Sequence, residues 1–383
     1  MKTTGDQFLV KKINKSIVLD TIRDQSPISR AAVSKMTGLN KGTVSSLVAE
    51  LINNEFVLEI GTGKSSGGRK PVMLLFHETA GYAIGVELGV AKIRTILTNL
   101  NGEMVEEASR KLARTEIEYV TQELFAAIQS MIDLTPPSRY GIVGIGIGVP
   151  GIVDETGRIL FAPNLQWENM DLNALISEHF QLPVTIDNEA NAGAVGEQQY
   201  GAGRDAANIV YISVSEGIGT GIIFGRELFR GAAGLSGEMG HMTIEANGRK
   251  CRCGNKGCWE LYASTSSHPQ YDFDTLVQMS ASGEADGIRG FYEMGEYLGI
   301  GISTIINTFN PELIIIGNQM MRAERWITSA IQQTVATRSL SYHRKHSSIR
   351  FAQLETRSTL LGAAYYAISG FFSKDRASLA ETM

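Results

Sequence analysis

Outside one stretch of eight residues, this 383-residue chain contains no cysteine. Three thiols, odd in number and confined to Cys251, Cys253 and Cys258, exclude a disulfide framework as the source of stability. No apolar run reaches the roughly 20 residues needed to cross a bilayer, so a membrane-spanning helix is not expected. The opening Met-Lys-Thr-Thr-Gly-Asp lacks the apolar centre of a secretory signal, and a cytoplasmic protein without a membrane partner is expected. A large charge of either sign is missing too, the net value being −5. That total conceals an asymmetry: residues 1–75 hold eleven Lys and Arg against six Asp and Glu, so a +5 segment precedes a body of −10. A polyanion is therefore expected to meet the first part alone, although a solvated basic helix gives the same count. Hydrophobic residues make up 43%, ample at this length for two or three domains with cores of their own.

The few thiols that exist stand together for a reason. Cys251-Arg-Cys253-Gly-Asn-Lys-Gly-Cys258 follows Gly-Glu238-Met-Gly-His241 and precedes Trp259-Glu260. One imidazole and three thiolates on gaps this short form a tetrahedral N/S set suited to structural Zn²⁺, held by His241, Cys251, Cys253 and Cys258. Four protein ligands leave no position for water, which argues against a catalytic metal. Three buried free thiols are the alternative. Because Glu238 and Glu260 flank the cluster, the braced loop is expected to face a polar ligand.

The N-terminal pattern is helical. Asn14–Asp24 carries apolar Ile13, Ile17, Val18 and Ile22 on one face, and Ser26-Pro27 ends it. Ser29 can cap a second helix reaching Met36, and Gly38 suits a tight turn. A third helix, from Lys41 to about Asn53, turns Val44, Leu47, Val48, Leu51 and Ile52 towards a core. Its other face is small, polar and cationic: Lys41, Thr43, Ser45 and Ser46. Strands Phe56–Ile60 and Val72–Phe76 around a Gly/Ser/Lys/Arg tip read as a wing, with Arg69 and Lys70 near its end. The tip can also be an interdomain linker. A winged helix-turn-helix over residues 1–78 is expected to bind double-stranded DNA, with Lys41, Arg69 and Lys70 on phosphates or in the minor groove and Thr43, Ser45 and Ser46 at base edges.

From Gly81 the texture becomes α/β. Strands are expected at 82–89, 92–99, after the Asn101-Gly102 turn, and at 141–149, 184–186, 208–215 and 219–224, with a helix over 115–134 and a helical C-terminal half. Residues 268–287 carry no clear pattern, and the tail from Ser373 reads as frayed. Trp167 can stack on a ligand or pack into the core, the second being favoured. Glycine turns at strand ends suggest two lobes around a ligand cleft, over residues 79–383.

Here the motifs carry a resemblance. Ile212-Ser-Val-Ser-Glu-Gly-Ile-Gly-Thr-Gly-Ile-Ile223, Gly234-Leu-Ser-Gly-Glu-Met-Gly-His241 and the Cys-x-Cys-Gly-Asn-x-Gly-Cys-x-Glu run resemble the ROK family of sugar kinases and repressors over roughly residues 80–370. The resemblance implies a two-lobed, actin-like body, and the fused DNA-binding segment matches its repressor branch. It further implies that Asn188, Glu189, Glu238, His241 and Glu260 hold sugar hydroxyls, with Asn164 and Gly151 as secondary contacts. The wording of Thr37–Ser46 and Ser65–Leu74 is similar to the xylose-responsive repressors, which is what makes D-xylose the implied inducer; the residues themselves do not choose among sugars.

Kinases of the family use an Asp-x-Gly-x-Thr phosphate loop, a Gly-Thr-Gly second loop and an Asp base. This chain has Glu87-Leu-Gly89-Val-Ala91, Ser215-Glu216-Gly217 and Glu189 at those positions. Phosphoryl transfer depends on positioning and on phosphate stabilisation, so three such departures are expected to abolish it. The expectation is a sugar-sensing repressor and not an enzyme: a homodimer on a palindromic operator, released by sugar. The alternative is an active sugar kinase with a DNA-binding appendage. His241 is placed to use one ring nitrogen on the metal and the other on the sugar.

Overall fold

The computed structural model describes residues 7–62, 70–268 and 270–378. Helices α1 (Gln7–Gln25), α2 (Arg30–Thr37) and α3 (Lys41–Asn53) surround Val18, Ile22, Val33, Val44, Leu47, Val48 and Leu51, all buried. Ser29 accepts a hydrogen bond from the Ala32 amide to start α2, and Gly38, at φ 74°, takes the left-handed turn that any side chain would resist. Asn40 accepts from the Thr43 amide to start α3. The expected face of α1 is corrected in part: Ile13 and Ile17 are 50% and 41% exposed, and burial on this helix begins at Val18, the earlier turns meeting α3 through the Lys11–Glu50 ion pair at 2.6 Å.

Strand β1 (Ile28–Ser29), absent from the sequence reading, joins β2 (Val57–Thr62) and β3 (Val72–Phe76) in an antiparallel sheet ordered β1-β3-β2. The tip between β2 and β3, including Arg69, lies outside the described residues.

The body contains two sheets of the same plan. The first has β4 (Tyr82–Leu88), β5 (Lys92–Asn99), β6 (Met104–Lys111), β7 (Ile142–Val149) and a last strand, with α4 (Ile117–Asp133) before β7. A small antiparallel sheet follows, of β8 (Ile152–Val153), β9 (Ile159–Ala162) and β10 (Trp167–Met170), then α5 (Leu172–Phe180) and β11 (Val184–Asn188), which completes the order β11-β7-β4-β5-β6. Helix α6 (Glu189–Tyr200) leads to β12 (Ile209–Val214), β13 (Ile218–Phe224) and β14 (Glu227–Leu228). After α7 (Glu260–Ala263), α8 (Phe273–Ala281) and α9 (Ala285–Phe309) come β15 (Leu313–Gly317), α10 (Glu324–Arg338), α11 (Ser341–Arg344) and β16 (Ser348–Phe351).

The second sheet is ordered β14-β13-β12-β15-β16. In each, three antiparallel strands are followed by two parallel ones, so the two lobes share one topology. The expected helical C-terminal half is thus corrected in part. β15 and β16 complete the second sheet, and α8 occupies the patternless 268–287 stretch.

Helix α12 (Ser358–Ser378) ties the parts together, and it continues past Ser373, where fraying was expected. It lies so close on β7 that a Cβ at Gly146 would meet the Ala363 carbonyl oxygen at 1.8 Å. It crosses α6 equally tightly, since a Cβ at Gly362 would meet the Ala192 carbonyl oxygen at 1.7 Å. Only glycine permits either approach. Towards its end Phe371 and Phe372 enter a core shared with the N-terminal segment. There Phe56 stacks on Tyr140 with ring centroids 4.9 Å apart, and Phe372 meets Phe56 at 5.6 Å and Phe76 at 6.4 Å. The Tyr140 hydroxyl donates to the Asn54 carbonyl at 2.7 Å.

Candidate functional site

The cleft is built where β11 gives way to α6. Asn188 ends the strand and caps the helix: its Oδ1 accepts from the Ala190 amide at 2.7 Å and the Asn191 amide at 3.3 Å. Its Nδ2 donates to the Gly151 carbonyl at 2.8 Å, which fixes the loop after β7 against the site. Glu189 is the first residue of α6. Desolvation, followed by the charges of Glu87 and Glu216, raises its carboxyl to about 7. Two other positions that depart from the kinase pattern therefore lie within electrostatic reach of Glu189. Glu87 is also raised by desolvation, against the opposing charge of Arg94. Arg94 sits opposite Glu87 in the β4–β5 register, donating to it at 3.0 Å and to Glu107 at 2.9 Å. A group that aligns with a phosphate-loop acid thus serves as an ion-pair partner.

Glu238, His241 and Glu260 come from the second lobe. His241 Nδ1 lies 3.4 Å from Glu260 Oε1, and desolvation raises the Glu238 carboxyl, with His241 opposing and Glu260 reinforcing the rise. A Cβ at Gly217 would stand 3.0 Å from Glu260 Oε2, so Glu260 and the Ser215–Gly217 turn are contiguous. Asn164 lies exposed between β9 and β10, and no hydrogen bond ties it to this group among the described residues. Trp167 is 1% exposed in the first lobe's core and donates to the Thr115 carbonyl at 2.9 Å, which settles its role as packing.

Ligand atoms of His241, Cys251, Cys253 and Cys258 fall within 4.8 Å of one another, a group able to hold a metal ion. Cys253 Sγ and Cys258 Sγ are 3.7 Å apart, as are Cys251 Sγ and His241 Nδ1. A tetrahedron on metal–sulfur bonds of about 2.3 Å has edges of about 3.8 Å, so the donors fit such a centre. Burial raises the thiols of Cys251 and Cys258, a tendency that a cation between them would reverse. The Trp259 indole beneath the loop donates to the Tyr297 carbonyl at 2.8 Å, fastening the cluster to α9.

On α3, Lys41, Ser45 and Ser46 are exposed and Thr43 is half-buried, all on the side away from the core. Lys70 is exposed.

Sequence reasoning missed three groups. Arg230 donates to the buried Asp187 at 2.6 Å. The fully buried Glu197 accepts from the amides of Ala202, Gln353 and Leu354 and from the Ser358 hydroxyl. The aromatic group around Phe56 is the third. No local spacing signals any of them, since their partners lie far away in sequence.

Two lobes of one topology, with Glu87 and Glu216 in electrostatic reach of Glu189 and a Cys₃His loop between Glu238 and Glu260, define a sugar-kinase-like scaffold. The chain belongs to the ROK family, whose model matches residues 83–369. Among its relatives is the xylose repressor of Bacillus spizizenii, 45% identical over 342 residues that cover 87% of this chain and 89% of that protein. A crystal structure of a ROK family transcriptional regulator, a homologue of the E. coli MLC protein, superposes with a TM-score of 0.82 at 26% identity, covering 97% of this chain and 100% of that one. A ROK family glucokinase from Streptomyces griseus, solved with glucose and AMPPNP, matches at TM-score 0.69 and 26% identity over 76% of this chain and 100% of its own.

Proposed function

We propose that this chain is a cytoplasmic, sugar-responsive transcriptional repressor with D-xylose as its inducer. It is not an enzyme. The observation that carries this reading is Glu216, a carboxylate in the second phosphate loop within electrostatic reach of Glu189, beside Asn188, Glu238, His241 and Glu260, which keep the amide, imidazole and carboxylates that sugar hydroxyls need. A sugar finds acceptors and donors there. A triphosphate finds negative charge, in surroundings where water screens little. The repressor name of the Bacillus spizizenii relative supports the same conclusion, as does the greater coverage by the solved regulator than by the solved glucokinase.

In this reading residues 1–78 are a winged helix-turn-helix, and residues 79–383 are a sugar-binding and dimerisation body. The two α3 helices of a homodimer enter successive major grooves of a palindromic operator. Thr43, Ser45 and Ser46 read base edges, while Lys41, Arg69 and Lys70 neutralise phosphates or enter the minor groove. Asn164, Asn188, Glu189, Glu238, His241 and Glu260 hold the sugar hydroxyls. His241, Cys251, Cys253 and Cys258 hold a structural Zn²⁺, which fixes the loop between Glu238 and Glu260 when bound. With Nδ1 of His241 facing Cys251, Nε2 is the nitrogen left for the sugar.

Sugar draws the lobes together and favours a dimer geometry that no longer spans both half-sites. A hundredfold preference of the sugar for that conformer supplies about 2.7 kcal/mol, enough to lower operator occupancy substantially. The test pairs calorimetric titration of xylose and glucose with an operator gel shift, alongside an ATP-turnover assay. Xylose is expected to bind and to release the operator, with no sugar phosphate formed. If neither sugar binds, the inducer assignment falls; sustained turnover would restore the kinase reading.

A further inference from the structure

The segment between β14 and the Met239–His241 turn starts and ends on the second lobe but reaches the first at two points. At its roots the Phe229 amide donates to the Ile222 carbonyl at 2.8 Å, and the Thr220 hydroxyl donates to the Gly237 carbonyl at 2.5 Å, both on β13. At its far side Gly234, at φ 79°, sits where a Cβ would meet the Glu155 amide nitrogen at 2.9 Å, against the turn that follows β8. Between these points Arg230 crosses to β11. Its Nη2 lies 2.6 Å from Asp187 Oδ2, and the Asp187 side chain is only 2% exposed against 37% for Arg230.

Asp187 is no ordinary surface partner. Its Oδ1 accepts from the Asn188 amide at 2.8 Å and from Asn191 Nδ2 at 3.0 Å, so the carboxylate orients the residue that caps α6 and holds the Gly151 loop. Tyr366 of α12 lies beside the pair. A carboxylate this deep is costly without a cation. Arg230, from the opposite lobe, is the cation that satisfies it. Whenever the lobes separate along this seam, Asp187 loses that partner.

We infer that Arg230 is a positioning residue: its ion pair with Asp187 latches the two lobes in the sugar-binding arrangement and so sets inducer affinity. This rests on the sugar-sensing reading above. The latch works at a distance from the hydroxyls, by holding the segment that leads to Glu238 against the strand that ends in Asn188. Lys at the same position keeps the charge but loses the planar fork, so it should recover the function only in part.

The test compares full-length wild type with Arg230→Gln and Arg230→Lys. Calorimetry with D-xylose should show affinity falling at least tenfold in Arg230→Gln and by less in Arg230→Lys. Operator affinity without sugar should stay within threefold of wild type or become tighter. Hydrogen exchange without any sugar should rise at 152–157 and 229–238 in Arg230→Gln, while exchange over α1–α3 stays unchanged. Unchanged xylose affinity in a folded Arg230→Gln protein overturns the latch, and so does operator affinity lost in parallel. If wild type itself binds no xylose, the sugar-sensing reading fails on its own. The exchange comparison then still decides the latch, since equal exchange at both segments refutes it.

Discussion

Replacing Glu197 by Ala should be among the most damaging single changes in the body, and the cost can be worked from its contacts. The carboxylate is fully buried and accepts four hydrogen bonds: from the amides of Ala202 (2.8 Å), Gln353 (3.1 Å) and Leu354 (3.0 Å), and from the Ser358 hydroxyl (2.8 Å). These donors include the amides just ahead of α12 and the first hydroxyl of that helix, so one side chain of α6 anchors the start of the long C-terminal helix. Alanine leaves the buried Ser358 hydroxyl and three part-buried amides without an acceptor. At about 1 kcal/mol each the loss is about 4 kcal/mol, with the vacated side-chain volume adding to it. A body of roughly 300 residues has an unfolding entropy of about 0.6 kcal/mol/K, so the melting temperature should fall by about 6 °C. Glu197→Gln keeps one acceptor oxygen but turns an NH₂ towards backbone amides, and should lie between. Calorimetric scans of the three proteins in one buffer provide the check. A Glu197→Ala midpoint within 1 °C of wild type would show that the carboxylate is not the anchor inferred.

The metal loop, the domain junction and the cleft acid give three more expectations. Cys258→Ser should abolish stoichiometric zinc, measured by atomic emission, and lower xylose affinity at least tenfold while operator binding without sugar persists; full sugar affinity in the zinc-free protein would break the link between loop and inducer. Phe372→Ala empties part of the core around Phe56 and Phe76, a change costing about 3–5 kcal/mol locally. It should leave the calorimetric xylose affinity within threefold yet blunt operator release in gel shifts. The raised carboxyl of Glu189 predicts a pH signature. Its folded value of about 7 lies above the ordinary 4.5, so the native state binds the extra proton between those limits and this group lowers stability as pH rises through that window. Glu189→Gln should remove that fall, and denaturant titrations at pH 5 and pH 8 should show the variant gaining on wild type only at the higher pH.

What the sequence made legible was what is encoded locally. Caps and turn residues mark α2 and α3, because Ser29 and Gly38 act within a few residues of themselves. The clustering of His241, Cys251, Cys253 and Cys258 is legible for the same reason, as the four residues span eighteen positions of chain. The run Leu-Ile-Ile-Ile-Gly of β15 is buried on both faces, so it carries no alternation by which to tell strand from helix. The exposed Ile13 and Ile17 show the converse, for an apolar face proposes burial but does not say where its partners end. Arg230 and Glu197 were illegible on principle. Their partners lie 43 and up to 161 residues away, and only the duplicated topology brings them together.

That topology also explains how a kinase-like scaffold can serve as a sensor. In a phosphoryl-transfer enzyme, lobe closure completes a site for chemistry, and the cleft must welcome both sugar and phosphate. In the reading proposed above, Glu216 occupies the second phosphate loop, so closure on sugar alone would have no reaction to feed. Its free energy is available elsewhere. The Thr359 hydroxyl donates to the Glu189 carbonyl at 3.1 Å, which puts the first turn of α12 in contact with the helix that opens on the cleft. Twelve residues later the same helix delivers Phe371 to the ring group of Phe56 and Tyr140. At 1.5 Å per residue the two ends are about 18 Å apart, joined by one continuous helix. A helix seated that tightly on β7 and α6 moves as a unit or not at all, because Gly146, Gly196 and Gly362 leave no slack at its contacts. A small displacement at the sugar end should therefore arrive undiminished at the aromatic junction, where the N-terminal module is held.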